Sequence, residues 1–566
     1  MSMKPSPWPE VPALTAQVAR AAFPGGSLAM RVRDELGAWC EDADFSAAYG
    51  ARGKPGISPA QLAVVTALQF TGNLTDRQAA DAVRGRLEWK YCLGLELTDP
   101  GFHYSVLSEF RSRLVAGGME KALLGLLLAR LKELGLAEPG MRQRTDSTHV
   151  LARIRDLNRL ELAGEAVRAA LEALAAVDPG WLASVTGPSW QPVYGQRITD
   201  LRLPESKAAR AELAAQYARD GYHLLEQAYS AAAPPGLRKL PAVHALQLIL
   251  LQQFYRETGQ DGEHVTWREN DQHGLPPGRT KIISPYDLHA RYGEKRGKGW
   301  LGYKARYSET VSDPAGDDPQ TGRPARPNLV TVTQTTHASV PDAVMTRVIH
   351  DDMDAAGLPP GEHAADSGYA SADELLAARA RGITLIAPLQ PGRPARTSEY
   401  TADKFTIDWD ARQVTCPEGA LSQYWTPARQ HGRDTIVVKF SAPTCRDCPV
   451  KDKCTTATRT GRQLTLRPRE IHDAVTATRA EQNTEAWQRK YATRAGVEGL
   501  MAQATHVTGI RRARYPGLPR TTLEHNIAAV AINLIRLDAW WTWTPLDRTR
   551  TSHFQRIQHE LAALTK

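Results

Sequence analysis

A long stretch with the composition of helices separates two segments with the composition of strands. From Leu151 to about Phe254 the chain is rich in Ala, Leu, Arg and Glu at helical spacing, whereas strand-forming residues surround Asp146 before it and fill GKGWLGYKARYSETV after it. Two more strand segments follow, the alternating NLVTVTQTT at 328–336 and the apolar ITLIAPL at 383–389. A sheet built from these segments must be interrupted by a helical insertion, so the sequence predicts an α/β fold.

Two aspartates lie where strands are expected to end. Asp146 lies in MRQRTDST after the Pro-Gly turn at 139–140, and Asp366 lies in GEHAADSGYASADEL. In the second segment a Gly-Tyr turn joins a strand to a helix that is expected to start near Ser371. A single aspartate of this kind is most often a turn former or a helix cap.

A third acidic residue belongs to the spacing Tyr-x-x-Arg-x-x-x-Glu, formed by Tyr491, Arg494 and Glu498. The stretch from 480 to 500 predicts one continuous helix, on which Arg494 lies roughly 60° and Glu498 roughly 20° from Tyr491. A carboxylate, a guanidinium and a phenol on one face suit phosphate chemistry with a divalent metal. The alternative is a solvated helix face with charges three or four residues apart.

Two aspartates and one glutamate supply only oxygen ligands, which suit a pair of Mg²⁺ ions, or Mn²⁺ in their place. One ion would activate a water or a 3′-hydroxyl, and the other would stabilise the leaving oxygen.

These motifs resemble those of the DDE transposases of bacterial insertion sequences, in the branch with the Tyr-x2-Arg-x3-Glu signature and a four-cysteine insertion. The likeness extends to FTGNLTDRQAADAVRGRLEWKYCLGL, to GKGWLGYKARYSET and to IRRARYPGLPRTTLEHNIAAVAINLIRL, so that it spans nearly the whole chain. The resemblance implies a ribonuclease-H-like core in which Asp146, Asp366 and Glu498 ligate the catalytic metals. It also implies that Tyr491 and Arg494 support the transposon end.

Charge favours an anionic partner without requiring one. Lys and Arg number 70 against 62 Asp and Glu, which gives a net charge of +8. Basic residues concentrate in two segments, at Arg291, Lys295, Arg296, Lys298, Lys304 and Arg306, and at Arg511, Arg512 and Arg514. Such density predicts phosphate contacts, notably from Lys304, Arg511 and Arg512, although charge runs are more often solvated faces.

Four of the six cysteines crowd into the interval between Asp366 and Glu498. They are Cys416, Cys445, Cys448 and Cys454. Clustered cysteines in a reducing compartment more often bind metal than form disulfides, which predicts a closed structural Zn²⁺ site. A redox Cys-x-x-Cys or unligated thiols are the alternatives. The spacing after Cys448 is not a second Cys-x-x-Cys, which leaves the pairing of the knuckles open.

The N-terminal part predicts three helices: one over ISPAQLAVVTALQF, one that starts at a capping box between Thr75 and Gln78, and one over HYSVLSEFRSRL. Arg77, Arg84, Arg86 and Lys90 would suit a helix-turn-helix module for DNA, and a bundle that only packs on the core is the alternative. Near the C-terminus a second capping box, Thr521 to Glu524, predicts the start of an apolar core helix.

The predicted fold class is α/β: a ribonuclease-H-like mixed sheet interrupted by a helical insertion and by a small zinc-ribbon-like insertion, after a helical N-terminal domain. The predicted divisions are a DNA-binding domain at 1–135, the first core strand at 136–152, the helical insertion at 153–280, the core at 281–390, the zinc-binding insertion at 391–467, C-terminal core helices at 468–547 and a basic tail at 548–566.

We expect a transposase that binds terminal inverted repeats in double-stranded DNA and catalyses metal-dependent cleavage and strand transfer, as a homodimer on DNA. The sequence shows no targeting segment or apolar span, so we expect a cytoplasmic, nucleoid-associated bacterial protein without membrane partners. The alternatives are a catalytically inactive, transposase-derived DNA-binding protein and a stand-alone nuclease.

Overall fold

The computed structural model describes residues 2–50, 52–259, 262–295, 297–312, 317, 324–389, 400–544 and 557. The chain divides into two compact units. Unit 1 comprises Met1–Glu138, Asp146–Val340 and Val497–Lys566, and unit 2 comprises Pro139–Thr145 and Pro341–Gly496. Arg296 and, apart from Ile557, the predicted basic tail at 548–566 lie outside the described residues.

Helices fill the N-terminal part of unit 1. They are α1 (Ala13–Ala22), α2 (Leu28–Arg31), α3 (Pro59–Thr71), α4 (Asp76–Gly85), α5 (Leu87–Leu93), α6 (Ser105–Ala116) and α7 (Ala122–Glu133). The predicted capping box at α4 is confirmed, because the Thr75 and Gln78 side chains each accept from the other residue's backbone N–H. The segment after it forms two helices, since Arg86 takes an extended backbone conformation between α4 and α5.

Strand β1 (Gln143–Leu151) leads into the helical insertion. The insertion contains α8 (Arg159–Val177), α9 (Pro179–Val185), α10 (Trp190–Tyr194), α11 (Lys207–Tyr229), α12 (Pro241–Gln253), β2 (Phe254–Gly259), β3 (Gly262–Trp267) and α13 (Asn270–His273). Its helices bury one apolar cluster around Leu174, Tyr217 and Leu250. The antiparallel hairpin β2–β3 was not predicted.

The remaining strands of unit 1 are β4 (Arg291–Lys295), β5 (Lys298–Thr310) and β6 (Val330–His337). Strand β5 pairs antiparallel with both β4 and β6, and it neighbours β1 in the sheet. The two strands predicted over GKGWLGYKARYSETV and NLVTVTQTT are therefore confirmed.

Unit 2 contains short parallel strands with helices between them. Its first elements are α14 (Thr346–Ala355), β7 (Glu362–Ala364), α15 (Ala372–Ala380) and β8 (Thr384–Ile386). The first residues of β1 pair parallel with β7, and β7 pairs parallel with β8. Strand β7 and helix α15, which Ser371 caps, match the strand-turn-helix predicted around Asp366.

The cysteine-bearing part of unit 2 has a small core of its own. Its elements are β9 (Thr406–Asp408), β10 (Gln413–Thr415), β11 (Tyr424–Gln430), β12 (Arg433–Lys439), α16 (Ala442–Arg446), α17 (Lys451–Cys454) and β13 (Gln463–Leu466). Strands β9 and β10 pair with each other, and β12 lies between β11 and β13. Phe405, Val414, Val438 and Phe440 are buried in this core.

Unit 2 ends with α18 (Arg469–Gln482), α19 (Glu485–Ala492) and a 3₁₀ turn over Thr493–Gly496, after which unit 1 resumes with α20 (Val497–His506) and α21 (Leu518–Trp541). The capping box predicted at Thr521 is wrong. Helix α21 begins at Leu518, after Gly517 at φ +90°, and Thr521 is buried inside it with its hydroxyl donating to the Gly517 carbonyl. Pro519 suits the first helical turn, where no backbone N–H is needed, and thus favours the earlier start.

Helix α21 is buried over most of its length, as predicted for a core helix, and it includes buried polar residues such as Glu524, His525 and Asn533. Among the described residues, no helix combines the length and apolar character that a bilayer crossing requires.

Candidate active site

The predicted site residues are divided between the two units. Asp146 and Glu498 belong to unit 1, whereas Asp366, Tyr491 and Arg494 belong to unit 2. Each group is described within its own unit.

Asp146 is the fourth residue of β1. The prediction of a strand end at this position is wrong, because β1 continues for five residues beyond Asp146. The strand continues because the following residues remain in the sheet, with Ala152 N–H donating to Leu301 O at 3.0 Å. The side chain is half-buried, and its Oδ1 accepts from Ser147 N–H at 2.7 Å.

Asp366 follows β7 by two residues, as predicted. Its side chain is half-buried, and Oδ1 accepts from Gly368 N–H at 2.7 Å. A Cβ at position 368 would lie 2.9 Å from that oxygen, so glycine allows the amide to approach the carboxylate closely. The turn is completed by Tyr369 N–H, which donates to the Asp366 carbonyl at 3.1 Å.

The single helix predicted over 480–500 is wrong. The segment contains the end of α18, all of α19, the 3₁₀ turn and the start of α20. Thr484 restarts the helix, because its hydroxyl accepts from Trp487 N–H. Tyr491 therefore lies in α19, Arg494 in the 3₁₀ turn and Glu498 in the first turn of α20, where its side chain is exposed. The uniform 100° per residue used in the prediction does not apply across these junctions.

The 3₁₀ turn is held by Arg144 from β1. The Arg144 guanidinium donates to Thr493 O at 2.7 Å, which satisfies a carbonyl that a continuing helix would have used. It also lies against Gly496, where an added Cβ would be 2.1 Å from Nη1. Arg144 thus occupies the space that any larger residue at position 496 would need.

Helix α19 is fixed to β7 by an ion-pair network and by aromatic packing. The Glu362 carboxylate accepts from Arg142 Nε at 2.7 Å and from Lys490 Nζ at 2.5 Å. Burial opposes ionisation of Glu362, but these two hydrogen bonds outweigh it and hold its pKa below the ordinary value. Tyr491 stacks on Trp487 with ring centroids 5.1 Å apart, and Trp487 packs in a small cluster with Ala364 and Ile386.

A buried chain of polar side chains links Thr145 of β1 to His363 of β7 and His350 of α14. His363 Nε2 lies 2.6 Å from Thr145 Oγ1, and His363 Nδ1 lies 2.8 Å from His350 Nε2. Burial lowers the pKa of His363 well below the ordinary value, and burial with nearby Arg381 lowers that of His350 to about 4. Thr145 and His363 precede Asp146 and Asp366 by one and three residues.

Two family models match the chain. One, described as Transposase DDE domain, matches residues 415–538, and the other, described as Transposase domain (DUF772), matches residues 20–113. Together the two matches indicate a DDE transposase of an insertion-sequence family. Glu498, Tyr491 and Arg494 lie within the first match, whereas Asp146 and Asp366 lie outside both. Comparisons with curated proteins and with solved structures each found no match.

A DDE transposase domain typically uses a divalent metal such as Mg²⁺. Among the described residues of this transposase, no group of three or more His, Cys, Asp or Glu side chains stands in a metal-holding arrangement.

The predicted basic residues of the transposase differ in their exposure. Arg512 is exposed, Arg511 is half-buried with its guanidinium 2.8 Å from His149 Nε2, and half-buried Lys304 donates to Val340 O at 3.1 Å. Arg306 is buried and donates to Thr336 Oγ1 and Val340 O, while buried Lys90 donates to two backbone carbonyls. Arg306 and Lys90 are therefore structural in this transposase and are not available for phosphate contacts.

The four clustered cysteines line one cavity of about 250 Å³ in the cysteine-bearing part. Cys416 Sγ accepts from Ala420 N–H at 3.3 Å, and Cys445 Sγ accepts from Arg462 N–H at 3.4 Å. Burial raises the pKa of the Cys454 thiol, Arg462 lowers it, and the other three cysteines raise it further. All four are free thiols in the transposase.

Sequence reasoning missed the residues that position the site: Arg142, Arg144, His350, Glu362, His363 and Trp487. One signal was available for His363, because a histidine inside an apolar strand must find hydrogen-bond partners. The Glu362 and Arg144 contacts join residues more than a hundred positions apart, and the sequence carries no local sign of them.

Proposed function

We propose that this transposase binds the terminal inverted repeats of its element in double-stranded DNA and catalyses metal-dependent cleavage and strand transfer. The observation that carries the proposal is the strand connectivity. Strands β5 and β6 pair antiparallel, β1, β7 and β8 pair parallel, and the acids lie on β1, just after β7 and on α20. This is the arrangement expected of a ribonuclease-H-like core with two aspartates on strands and a glutamate on a following helix.

Asp146, Asp366 and Glu498 would hold Mg²⁺, or Mn²⁺ in its place. Their chemistry fits the ion, because all three offer carboxylate oxygens and none is fully buried. Backbone amides of Ser147 and Gly368 orient the two aspartates before any ion binds. When bound, the metal would activate the attacking water or 3′-hydroxyl and neutralise charge on the leaving oxygen.

Arg494 and Tyr491 would act on the scissile phosphate and its neighbours. A guanidinium pairs with two phosphate oxygens at once, and a phenol can stack or donate beside them. The contacts of Arg144 with the 3₁₀ turn and of Glu362 with Lys490 support the proposal, because they fix the backbone that carries both residues.

DNA phosphates would be held by Arg511, Arg512 and Lys304, and duplex DNA by the N-terminal helices, where Arg77 and Arg84 lie in α4 and Arg86 follows it. Because an element has two ends, we propose a homodimer on DNA, acting in the cytoplasm at the nucleoid.

We also propose that Cys416, Cys445, Cys448 and Cys454 bind one structural Zn²⁺. Support comes from their shared cavity and from the backbone N–H groups directed at two of the sulfurs, because such donors favour the thiolate that zinc requires. Four thiolates would leave no open coordination position, so this zinc would take no part in catalysis. A zinc-ribbon-like insertion is the corresponding proposal for its fold.

The second candidate function is a catalytically inactive, transposase-derived DNA-binding protein. It would keep the basic surfaces, but it would have no need for all three carboxylates.

The test is nicking of supercoiled DNA that carries candidate inverted repeats, in Mg²⁺ or Mn²⁺, with wild type, Asp366→Ala and Glu498→Ala. Glu485→Ala is the matched control, because Glu485 is an exposed glutamate in the first turn of α19. We expect nicking at the repeat ends to be lost in the first two variants and kept in the control, with DNA binding retained throughout. Binding without nicking by the wild type in either metal would favour the inactive DNA-binding protein.

A further inference from the structure

A groove at the end of β1, within unit 1, has a lining that the proposed catalytic residues do not use. Its volume is about 980 Å³, at the upper end of the range for ligand sites. We call it the β1-end groove and define it by Arg153, Arg155, Tyr292, Trp300 and Arg512.

The backbone beneath the groove is held on both sides. Leu151 N–H donates to Arg511 O and Ala513 N–H donates to Leu151 O, both at 2.9 Å, so residues 511–513 run beside the end of β1. On the other side Ala152 N–H donates to Leu301 O at 3.0 Å. Arg512 therefore projects from backbone that is fixed before a ligand arrives, and Arg153 directly follows the last residue held in this way.

Each of the two aromatic rings of the hairpin β4–β5 packs on a glycine, and the rings lie on opposite faces of the hairpin because Tyr292 pairs with Leu301 and Trp300 with Gly293. A Cβ at Gly299 would lie 2.2 Å from the Tyr292 hydroxyl, and a Cβ at Gly293 would lie 2.6 Å from the Trp300 ring. Each ring thus covers a glycine of the opposite strand, as aromatic residues do in sheets that contain glycine. Trp300 is buried, whereas 53% of Tyr292 is exposed.

The groove carries a net positive charge. The lining holds three arginines and one acid, Asp156. Arg155 pairs with Asp200 at 3.3 Å but remains 62% exposed. An adjoining cavity of about 210 Å³ shares Arg153 and Arg155 and adds Arg197 and Glu165. Glu165 is paired with Arg168 at 3.1 Å, so positive charge remains in excess towards the helical insertion.

We propose that the β1-end groove binds one DNA strand as a single strand, with phosphates on Arg153, Arg155 and Arg512 and one base stacked on Tyr292. Guanidinium groups along an aromatic surface are the general means of holding unpaired nucleic acid. The apolar floor, which includes Leu151 and Leu301, favours an unpaired base over a duplex, whose base faces are already stacked. The inference rests on the proposed function only in taking DNA as the substrate.

The test measures binding of the full chain to a fluorescent single-stranded oligonucleotide and to the corresponding duplex, in a chelator so that no cleavage occurs. One base of the single strand is 2-aminopurine, whose fluorescence falls when it stacks on an aromatic ring. The variants are Tyr292→Leu, which still covers Gly299, Tyr292→Phe, and Arg155→Ala. The matched controls are Tyr424→Ala, which removes another exposed tyrosine, and Arg219→Ala, which removes a 54% exposed arginine paired with Glu212.

We expect Tyr292→Leu to weaken single-strand binding about 5- to 150-fold and to restore the 2-aminopurine fluorescence, while Tyr292→Phe stays close to wild type. Arg155→Ala should lower the slope of log affinity against log salt by about 0.7, the value for one phosphate of a single strand. Arg219→Ala and Tyr424→Ala should change neither quantity.

The proposal would be overturned if Tyr292→Leu and Arg155→Ala bound the single strand with the same affinity as the control variants. Equal weakening of duplex and single-strand binding would also overturn it, because the groove would then hold a duplex. Metal-dependent nicking by the wild type, measured separately, distinguishes this failure from failure of the proposed function. If the groove proposal alone is wrong, nicking persists, whereas if catalysis alone is wrong, Tyr292-dependent binding persists.

Discussion

The three acidic residues proposed to bind metal differ in how the chain holds them. Asp146 and Asp366 each accept a hydrogen bond from a backbone amide nearby in sequence, whereas Glu498 is an exposed side chain in the first turn of α20. Two of the ligands are thus oriented by local backbone, whereas no hydrogen bond of this kind orients Glu498 in the part of the chain that the structure describes.

His363 should stabilise the fold because both nitrogens of its buried ring have hydrogen-bond partners, Thr145 and His350. We expect His363→Ala to lower the free energy of unfolding by about 2–4 kcal/mol, since it leaves a cavity and removes a partner from both Thr145 and His350. Urea denaturation followed by tryptophan fluorescence would measure the change. His244→Ala, at an exposed position of α12, should change it by less than about 0.5 kcal/mol. A His363 variant as stable as this control would contradict the account.

His350 should make stability depend on pH. Its pKa is about 4 in the folded chain, below the ordinary 6.5, so the unfolded chain binds a proton more readily. The stability that comes from keeping His350 neutral is fully present above pH 6.5 and is lost as the pH falls from 6.5 towards 4. When the pH is lowered from 7.5 to 5.5, the free energy of unfolding should decrease by about 1 kcal/mol less in His350→Gln than in wild type. Identical pH profiles for the two proteins would rule out this role.

At the level of elements, the 3₁₀ turn that carries Arg494 depends on one glycine. Gly496→Ala places a Cβ 2.1 Å from the Arg144 guanidinium and should displace it from Thr493 O. We expect end nicking to fall at least about tenfold, because a small misplacement near the chemistry is costly. Gly499→Ala is the control, since an added Cβ there meets nothing within 4 Å. Equal nicking by the two alanine variants would show that the geometry of the 3₁₀ turn does not matter for cleavage.

Much of the element pattern could be predicted, and the failures have physical causes. Strands β5, β6 and β8, the cap at Ser371 and the capping box at Thr75 follow from alternation and local side-chain hydrogen bonds. The break in the 480–500 helix could not be predicted, because the contact that favours the 3₁₀ turn comes from Arg144 in a distant strand. The length of β1 past Asp146 likewise depends on Leu301 and on residues 511–513.

The candidate site, too, could be predicted only in part. The acids were found from residue type and spacing together with a family resemblance, whereas the residues that position them are joined by long-range contacts. Glu362 meets Lys490 across 128 positions, and Thr145 meets His363 across 218. No local sequence pattern predicts such pairs.

At the scale of the whole molecule, the cysteine-bearing part should depend on metal. We expect the purified chain to contain one zinc ion by elemental analysis and to lose it in Cys448→Ser. Cys92→Ser, which changes a cysteine buried in α5, should keep the metal. Removing zinc should unfold the strands β9 to β13 first, because their core is small and the four cysteines line its cavity. A chain that purifies without zinc and keeps the same stability in chelator would contradict the assignment.

The central claim is that Asp366 is a metal ligand in DNA cleavage, and the most direct measurement is end nicking by Asp366→Cys in Mg²⁺ and in Mn²⁺. A thiolate suits Mn²⁺ better than Mg²⁺, so the ratio of the nicking rate in Mn²⁺ to that in Mg²⁺ should rise at least about tenfold over wild type. Asp366→Ala should be inactive in both metals. Wild-type nicking by Asp366→Ala, or an unchanged metal ratio in an active Asp366→Cys variant, would contradict the claim.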